Sequence, residues 1–381
     1  MKNKAQKIFE SHFGNPTVQV FSPGRANIIG EHTDYNEGYV LPFAIGQGIW
    51  FLAAANSTSV MNIIAANTGE IARVDLSDHS YIPVFGWEKY LLQVIRTLDL
   101  HGNHGLDLVF FGDLPIGGGV SSSSAITCGF ISVLDSLFDL GLTPDDMIRT
   151  AVTAEVGSGV RGGIMDQYTI FNGVSDKAIL LDCRTGSHKF VDLNMRGYHF
   201  YLINTNVRHN LVQTDYNSRR AECDRAVGLI SVNHKKISAL RDLTLSDQPA
   251  IRELLDDTLF NRVSFVVQEN DRVLHAVEAI RSHNWNKLGE LLYGSHDGLA
   301  QMYEVSCDEL NWLVNFTLDV DQFLGARMMG GGFGGCTINL TKGKISLDLV
   351  RKIEIEYEKA FGLKPEIMPI TAENGILGGI E

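Results

Sequence analysis

Two glycine-rich strings constrain what this chain can fold into, because consecutive glycines allow backbone turns that other residues cannot make. The first, PIGGGV at 115–120, follows an apolar run with strand character and precedes a helical pattern that opens with four serines. The second, GGGFGG at 330–335, lies between two runs with strand character. The fold therefore contains a strand, a glycine turn and a helix in succession, and later a tight turn between strands.

The first string predicts a binding site for an anion. Its three glycines, Gly117 to Gly119, let backbone N–H groups turn inward, and the start of the following helix adds about half a positive charge. We expect the serines after it to cap that helix and to offer a hydroxyl to Mg²⁺. No lysine follows the glycines, so the string is not a Walker A loop. By itself the string also fits a turn that only caps a helix.

The segment 23–38, PGRANIIGEHTDYNEG, is dense in polar and charged residues and separates two predicted strands. A simple connection would need only a few turn residues. Carboxylates and an imidazole fixed in a rigid loop can recognise a pattern of sugar hydroxyls, because a mismatched epimer leaves buried groups unpaired. The alternative is a solvated loop with an internal Arg25–Glu31 ion pair.

The second glycine string resembles half of a dinucleotide-binding fingerprint. It lacks the following helix and the acidic residue further along that such a site requires, which excludes a dinucleotide-dependent oxidoreductase. Its glycines suit a loop that approaches a substrate or a phosphate closely. A tight hairpin with a bulge is the alternative.

The chain has 381 residues, too many for one ordinary core, which predicts two domains that share a cleft. A helical face at 5–13 and hairpin-like strands up to 66 predict an antiparallel start. We expect strands at 178–182 and 200–204 to close a first domain, 1–204. Helical sequence from about Leu211 opens a second domain, 205–381, and the mixture indicates an α+β fold class.

Charge and cysteine content exclude several function classes. A net charge of −13 argues against nucleic-acid binding, which needs a broad basic face. The five cysteines are widely spaced and odd in number, which predicts reduced thiols and a cytoplasmic protein. No apolar stretch approaches the roughly 20 residues that a membrane helix needs, and the first residues do not form the apolar core of a signal peptide.

In this order, the three motifs resemble the GHMP kinase superfamily, and the strings GEHTDYN and GGGFGG resemble the galactokinases within it. The resemblance spans nearly the whole chain. It implies an N-terminal domain like ribosomal S5 domain 2, a ferredoxin-like C-terminal domain and an active site between them. It also implies transfer of the γ-phosphoryl group of ATP to the C1 hydroxyl of galactose, with Mg²⁺ as cofactor, by a monomer.

The resemblance assigns roles to individual residues. It implies that Asp166 faces the sugar C1 hydroxyl, with Arg25 as its partner. The residues that it implies for contacts with galactose are Glu31, His32, Asp34, Gly163 and Tyr216.

The nucleotide end is assigned in the same way. The residues implied for ATP binding are Gly117, Gly118, Gly119, Val120, Ser121, Ser122, Ser123, Trp87 and Tyr90. The resemblance implies that Ser123 and Glu155 bind Mg²⁺, and a hydroxyl with one carboxylate, water and phosphate oxygens is a set that Mg²⁺ accepts.

This chain departs from the family pattern at three places. Met329 stands before the second glycine string where the family usually has threonine, and Gly162 stands where galactokinases usually have cysteine. The phosphate loop reads Ser124-Ala125 where the reverse order is more familiar. The alternatives that stay open are a kinase for N-acetylgalactosamine or another hexose, and a galactose-sensing regulator with little catalysis.

Overall fold

The computed structural model describes residues 2–100, 102, 104–115, 117–159, 161–207, 212–233 and 237–378. The elements up to residue 192 are α1 (Lys2–Phe13), β1 (Val18–Asn27), β2 (Tyr39–Val40), β3 (Pro42–Ala55), β4 (Val60–Ala65), β5 (Glu70–Asp75), α2 (Glu88–Thr97), β6 (Leu106–Gly112), α3 (Ser122–Phe138), α4 (Pro144–Gly157), α5 (Met165–Asn172), β7 (Lys177–Asp182) and β8 (His188–Asp192). The elements that follow are β9 (Tyr198–Asn204), α6 (Val212–Asn233), α7 (Gln248–Arg252), α8 (Asp257–Arg281), α9 (Trp285–Gln301), α10 (Asp308–Leu318), β10 (Phe323–Met328), β11 (Cys336–Lys342), α11 (Leu347–Phe361) and β12 (Glu366–Ile370).

The described strands form three sheets, of five, four and three strands. The five-stranded sheet has the order β1-β3-β6-β4-β5, with one parallel pair, β4 and β6. The four-stranded sheet, β10-β11-β9-β12, is antiparallel, and the smallest has the order β2-β7-β8. Segregated helices and mainly antiparallel strands confirm the α+β class and the antiparallel start.

The strand, glycine turn and helix predicted around 115–120 are present as β6, the turn and α3. The predicted capping of α3 by a serine side chain is wrong. Ser121 occupies the N-cap position in a left-handed conformation, with φ of 61°, and its hydroxyl accepts no capping hydrogen bond from any described residue. The Ser121 hydroxyl instead donates a hydrogen bond to the Asp166 carboxylate. By contrast, Thr143 caps α4 with a full capping box, in which its side chain accepts the Asp146 N–H and the Asp146 side chain accepts the Thr143 N–H.

Strand β9 corrects the expected domain boundary. We expected 200–204 to close the first domain, but β9 pairs with β11 and β12 in the second sheet. After β12 the chain returns to the first half, where the Ile376 N–H donates to the Ile170 carbonyl at 2.8 Å. An apolar run shows that a strand is buried but not which sheet it joins. Because β9 pairs with strands of the second half, we propose a domain boundary before Tyr198. The helix start expected near Leu211 lies outside the described residues.

A shared core joins the two halves. It contains Ala26 and Ile28 from the first half together with Val273 and Val277 of α8 and Met329 beside the second glycine string. Because protein interiors are close-packed, this core holds the segment 23–38 in a fixed position relative to the second glycine string. Within the described ranges, no helix combines the length and the apolar character needed to cross a membrane.

Candidate active site

The three sequence motifs converge on one cavity of about 580 Å³. Arg25 from the segment 23–38, Ser123 from the first glycine turn and helix, Asp166 from α5, and Gly332 from the second string all line it. These residues are far apart in the sequence, so the fold brings them together. The cavity therefore has the convergent polar groups expected of a ligand site.

The two glycine strings touch each other through their backbones. A Cβ at Gly119, where φ is 70°, would lie 2.9 Å from the Met329 carbonyl oxygen. A Cβ at Gly330 would lie equally close, 2.9 Å, to the Gly119 carbonyl oxygen, and one at Gly332 only 2.0 Å from the Val305 carbonyl oxygen. A larger residue at Gly119 or Gly330 would force the two strings apart, and one at Gly332 would collide with the Val305 backbone. Where the strings meet, the cavity wall is therefore mainly backbone.

Asp166 lies in the first turn of α5, where the helix dipole favours a negative charge. The Arg25 Nε donates to its Oδ1 at 2.7 Å, and the Ser121 hydroxyl donates to its Oδ2. Arg25 also donates to the Gly119 carbonyl, which ties the carboxylate to the glycine turn. The Asp166 side chain keeps 26% of its surface exposed, so a ligand can still reach it.

Arg25 lies in β1 beside a register shift between Pro23 and Arg25, and it is buried. Burial alone lowers its pKa, but the negative charges of Asp166, Glu31 and Asp34 raise the pKa above its ordinary value. The guanidinium is therefore a permanent positive charge between the glycine turn and the acidic residues.

Glu31 is a buried carboxylate held by the second glycine string. Its Oε1 accepts the Gly330 N–H at 3.0 Å and an Arg327 Nη2–H at 3.2 Å. Arg327 is fully buried and also donates to the carbonyls of Asn27, Ile28 and Met328. The sequence analysis did not identify this role of Arg327, because the residue lies before the second glycine string and outside the three motifs.

His32 lines the cavity in a strained backbone conformation, with φ of 62°. Its Nδ1 lies 2.8 Å from the Tyr35 hydroxyl, and its buried Nε2 has no described partner at full hydrogen-bond geometry, although the Gly331 backbone lies near enough to the ring to raise the His32 pKa against burial. Burial lowers its pKa to about 3, and the positive charges of Arg219 and Arg327 add to the effect. The imidazole is therefore neutral at physiological pH.

Asp34 faces both Gly163 and Asp166. The Gly163 N–H donates to its Oδ2 at 3.1 Å, and a Cβ at Gly163 would lie only 2.4 Å from that oxygen, so only glycine fits. Burial raises the Asp34 pKa to about 6, and the nearby charge of Asp166 contributes. The Tyr216 ring of α6 closes this side, with its centroid 5.4 Å from that of His32.

Helix α8 holds the segment 23–38 at its middle and just after its last residue. The Gly30 N–H donates to Glu269 Oε1 and the Tyr39 N–H donates to Asn270 Oδ1, each at 2.9 Å. Glu269 is fully buried and its other oxygen pairs with Arg272 at 2.6 Å. These contacts cross more than half of the chain, and no local sequence pattern announces them.

Glu155 lies near the end of α4 and lines the cavity. Burial raises its pKa to about 7, with a further contribution from Asp166, and its Oε1 has no hydrogen-bond partner in the described part of the chain. A buried, unpaired carboxylate oxygen fits a cation. The described residues contain no group of three or more His, Cys, Asp or Glu side chains that could hold a metal, so any cation here would take its other ligands from Ser123, phosphate or water.

Tyr90, Ser121 and Ser122 line the cavity, but the structure does not bring all expected ATP contacts there. Among the described lining residues, Trp87, Gly118 and Val120 are absent. The Trp87 indole N–H donates to Glu70 Oε2 at 2.7 Å and its ring packs against Phe85 and Phe110. Val120 is fully buried in the shared core. Their apolar side chains gain more from packing than from the cavity wall.

Family models match three parts of the chain. The galactokinase galactose-binding signature matches residues 7–55, which include the whole segment 23–38. The GHMP kinases N terminal domain matches residues 89–174 and the GHMP kinases C terminal domain matches residues 276–353. These matches confirm the two-domain GHMP kinase fold, with each glycine string in one of the two GHMP domains.

Curated relatives match nearly end to end. The galactokinase of Thermosipho africanus is 35% identical over 94% of this chain and 99% of its own length. The galactokinase of Thermotoga maritima is 36% identical, with the same coverage of 94% and 99%.

Solved structures agree with the curated relatives. The Lactococcus lactis galactokinase complexed with galactose has a TM-score of 0.92 and 32% identity, covering 98% of both chains. A mevalonate kinase has a TM-score of 0.65 at 14% identity, covering 94% of this chain and 100% of its own, which shows a shared fold. With full-length relatives above 30% identity and a cavity that joins the three motifs, this chain belongs to the galactokinase family of the GHMP kinases and is an ATP-dependent sugar kinase.

Proposed function

We propose that this chain transfers the γ-phosphoryl group of ATP to the C1 hydroxyl of galactose and releases ADP. The observation that carries the proposal is the position of Asp166. Its carboxylate is tied to the glycine turn through Arg25 and Ser121, and Asp34 of the segment 23–38 lies close enough for the two charges to interact. Asp166 therefore stands between a phosphate site and a polyol site.

The sugar end is assigned to Glu31, His32, Asp34, Gly163 and Tyr216. The first three are acceptors or donors held at fixed positions by the second glycine string, Tyr35 and Gly163. A buried polar pattern of this kind discriminates epimers, because the wrong hydroxyl leaves a buried group unpaired. The Lactococcus lactis relative, whose structure contains galactose, supports galactose as the sugar.

The nucleotide end is assigned to Gly117, Gly119, Ser121 to Ser123 and Tyr90. Exposed N–H groups of the glycine turn and the positive end of α3 suit the phosphates. The unpaired Oε1 of Glu155 and the Ser123 hydroxyl would hold Mg²⁺. Bound there, Mg²⁺ would neutralise charge on the phosphate oxygens.

In the proposed reaction the C1 hydroxyl oxygen bonds to the γ-phosphorus while the bond from that phosphorus to the β,γ-bridging oxygen breaks. Asp166 accepts a hydrogen bond from the C1 hydroxyl and receives its proton as the new bond forms. The leaving ADP carries the charge of the broken bond. Arg25 stabilises charge that develops on the transferred group, and because the transition state is loose, alignment contributes as much as the proton transfer.

A larger hexose is the second candidate. A Cβ at Gly162 would meet no described atom within 4 Å, and Gly162 lines the cavity, so this wall has open space. That space favours N-acetylgalactosamine as an alternative sugar.

We also propose that the chain works as a monomer in a reducing compartment. The proposed reaction uses residues from both halves of this chain and needs none from a second copy. Its five cysteines are free, as they would be in the cytoplasm.

The test combines product analysis with one variant. The protein is incubated with ATP, Mg²⁺ and galactose, N-acetylgalactosamine or glucose, and both ADP release and the phosphorylated carbon are determined by NMR. We expect galactose 1-phosphate. Asp166→Asn should bind galactose but lose about 10³-fold in kcat, whereas Asp348→Asn, at an exposed site, should not change kcat. Undiminished turnover in Asp166→Asn would remove this residue from the mechanism, and sugar binding without turnover in the wild type would indicate a sensor.

A further inference from the structure

A row of four hydrogen-bonding side chains runs from the sugar end of the cavity into the protein behind it. His32 Nδ1 lies 2.8 Å from the Tyr35 hydroxyl, which lies 2.9 Å from the Tyr303 hydroxyl. The Tyr303 hydroxyl in turn lies 3.1 Å from the sulfur of Cys223 in α6. Of these four described residues, only His32 lines the cavity. The row therefore connects an imidazole in the cavity wall to three side chains that lie behind that wall.

Every member of the row keeps one proton to share. Burial raises the pKa values of Tyr35 and Tyr303 well above that of a free tyrosine, and it raises the pKa of the Cys223 thiol to about 11. The His32 ring is neutral and carries a single N–H. The protons of the row consequently have two possible arrangements: all point towards His32, or all point towards Cys223.

The chemistry of the groups favours the first arrangement. A phenol is a better donor than an imidazole N–H, and an imidazole nitrogen is a better acceptor than a phenol oxygen. In the second arrangement the Tyr303 hydroxyl would have to donate to a thiol sulfur, which is a weak acceptor. Contacts of the sulfur with the Tyr303 hydroxyl and with the side-chain amide of Asn36, which also donates to the His32 carbonyl at 2.8 Å, lower the Cys223 pKa against burial. With the Asn36 amide as a donor to the sulfur, the S–H is free to donate to Tyr303.

The ring contacts of His32 keep the imidazole from turning over. Its centroid lies 4.9 Å from that of Tyr303 and 5.4 Å from that of Tyr216, so aromatic rings contact it on two sides. The ring orientation is thus set by packing, and the choice of protonated nitrogen is set by the Tyr35 hydroxyl.

We propose that Tyr35, supported by Tyr303 and Cys223, is a positioning residue that holds His32 as the Nε2–H tautomer, so that His32 recognises the sugar by donating a hydrogen bond. The proposal rests on the sugar-binding role assigned to His32 above. It adds the direction of that hydrogen bond: His32 donates its Nε2–H, so the sugar must present an oxygen that accepts a hydrogen bond next to His32. It also identifies three residues outside the cavity as determinants of sugar affinity.

The tautomer can be measured without any sugar. In protein labelled with ¹⁵N-histidine, the His32 resonances are identified by their loss in His32→Asn, and their shifts report which nitrogen carries the proton. We expect Nε2–H in the wild type and a mixture of tautomers in Tyr35→Phe. An Nδ1–H tautomer in the wild type would overturn the proposal, whether or not the protein phosphorylates galactose.

Kinetics test the consequence for the sugar. Tyr35→Phe should raise the galactose KM about tenfold, the loss of one oriented hydrogen bond, with kcat and the ATP KM within about twofold of the wild type. Tyr303→Phe keeps the ring that packs 4.8 Å from Phe265 and should raise the galactose KM about threefold. It also serves as the second variant should Tyr35→Phe fold poorly.

Two further variants separate positioning from simple loss of stability. Tyr357→Phe removes another buried hydroxyl, which donates to the Thr205 carbonyl at 3.0 Å, and should lower the melting temperature without changing the galactose KM. Cys223→Ser, which keeps a donor at the end of the row, should have a lower galactose KM than Cys223→Ala. An unchanged galactose KM in both phenylalanine variants of the row, or a fall in kcat alone, would refute the positioning role. If the wild type does not phosphorylate galactose, the proposed function fails while the NMR result still decides the tautomer.

Discussion

The two ends of the cavity are built in opposite ways. At the end that we assign to the phosphates, backbone forms much of the wall: Gly119 and Gly330 approach so closely that neither can carry a Cβ without a clash. At the end that we assign to the sugar, the wall consists of buried or half-buried side chains, and hydrogen bonds with Gly330, Tyr35 and Gly163 hold Glu31, His32 and Asp34 in place.

The difference follows from what each end must recognise. Phosphate groups are charged and nearly symmetrical, so several N–H groups and a helix dipole suffice, whatever the side chains. A hexose differs from its epimers by the direction of one hydroxyl, which only fixed donors and acceptors can read. The phosphate end should therefore be sensitive to added volume, and the sugar end to a lost charge or hydrogen bond.

The largest expected effect is at the sugar end, from Glu31→Gln. The substitution keeps the shape and an acceptor oxygen but leaves the fully buried Arg327 without its counter-charge. An uncompensated buried charge is costly, so we expect the free energy of unfolding to fall by about 4 kcal/mol. Chemical denaturation of the ligand-free protein measures it.

Glu304→Gln is the matched control for that substitution. Glu304 also pairs with a buried arginine, Arg262, at 2.5 Å, but its own side chain is 61% exposed. Water can replace the lost charge there, so we expect a loss of about 0.5 kcal/mol. Equal losses in the two variants would mean that the sugar end does not depend on buried charge in the way we describe.

Glu155 is an exception at the end that we assign to the phosphates, because its carboxylate is a buried charged side chain and not backbone. Its pKa in the folded protein is about 7, above the ordinary value of 4.5. The folded state then binds more protons than the unfolded state between these values, so stability falls as pH rises from 4.5 to 7. The full cost, about 3 kcal/mol, is present above pH 7.

Glu155→Gln removes this titration and shows its size. Relative to the wild type, the variant should gain about 3 kcal/mol of unfolding free energy between pH 4.5 and pH 8. Glu290→Gln, at an exposed ion pair with Lys287, makes the same substitution on the surface and serves as the control. A flat profile for Glu155→Gln would mean that the carboxylate is not desolvated, and the phosphate end would then be backbone alone.

The sequence predicted the parts of the fold that local patterns encode. The helix after the first glycine turn and the capped start of α4 at Thr143 are both present, because periodicity and capping residues act within a few positions. The sheet that β9 joins could not be predicted, since its pairing with β11 and β12 depends on residues far along the chain. The same holds for the return of the C-terminal segment to α5.

The site shows the same limit. The motifs indicated which polar groups face the cavity, and Arg25 and Asp166 do meet, at 2.7 Å. The groups that hold other parts of the segment 23–38 lie outside the motifs and have no distinctive spacing: Arg327 contacts Glu31, Glu269 contacts Gly30, and Tyr303 contacts Tyr35. The family resemblance implied Trp87 beside the nucleotide, but its indole N–H donates to the half-buried Glu70 instead. Composition cannot distinguish a packing aromatic residue from a binding one.

The smallest effect is expected from Gly119→Ala, which tests the phosphate end by volume alone. Gly119 and Gly186 have the same φ of 70°, so alanine suffers the same left-handed strain at both, about 1 kcal/mol of unfolding free energy. A Cβ at Gly186 meets no described atom within 4 Å, whereas one at Gly119 lies 2.9 Å from the Met329 carbonyl oxygen. Gly119→Ala should therefore lose about 1 kcal/mol more stability than Gly186→Ala because of the added clash, and only Gly119→Ala should raise the ATP KM, by about fivefold, as the two strings move apart. The galactose KM should stay unchanged in both. A rise in the galactose KM instead would show that the two ends are mechanically coupled and that the division drawn here is too sharp.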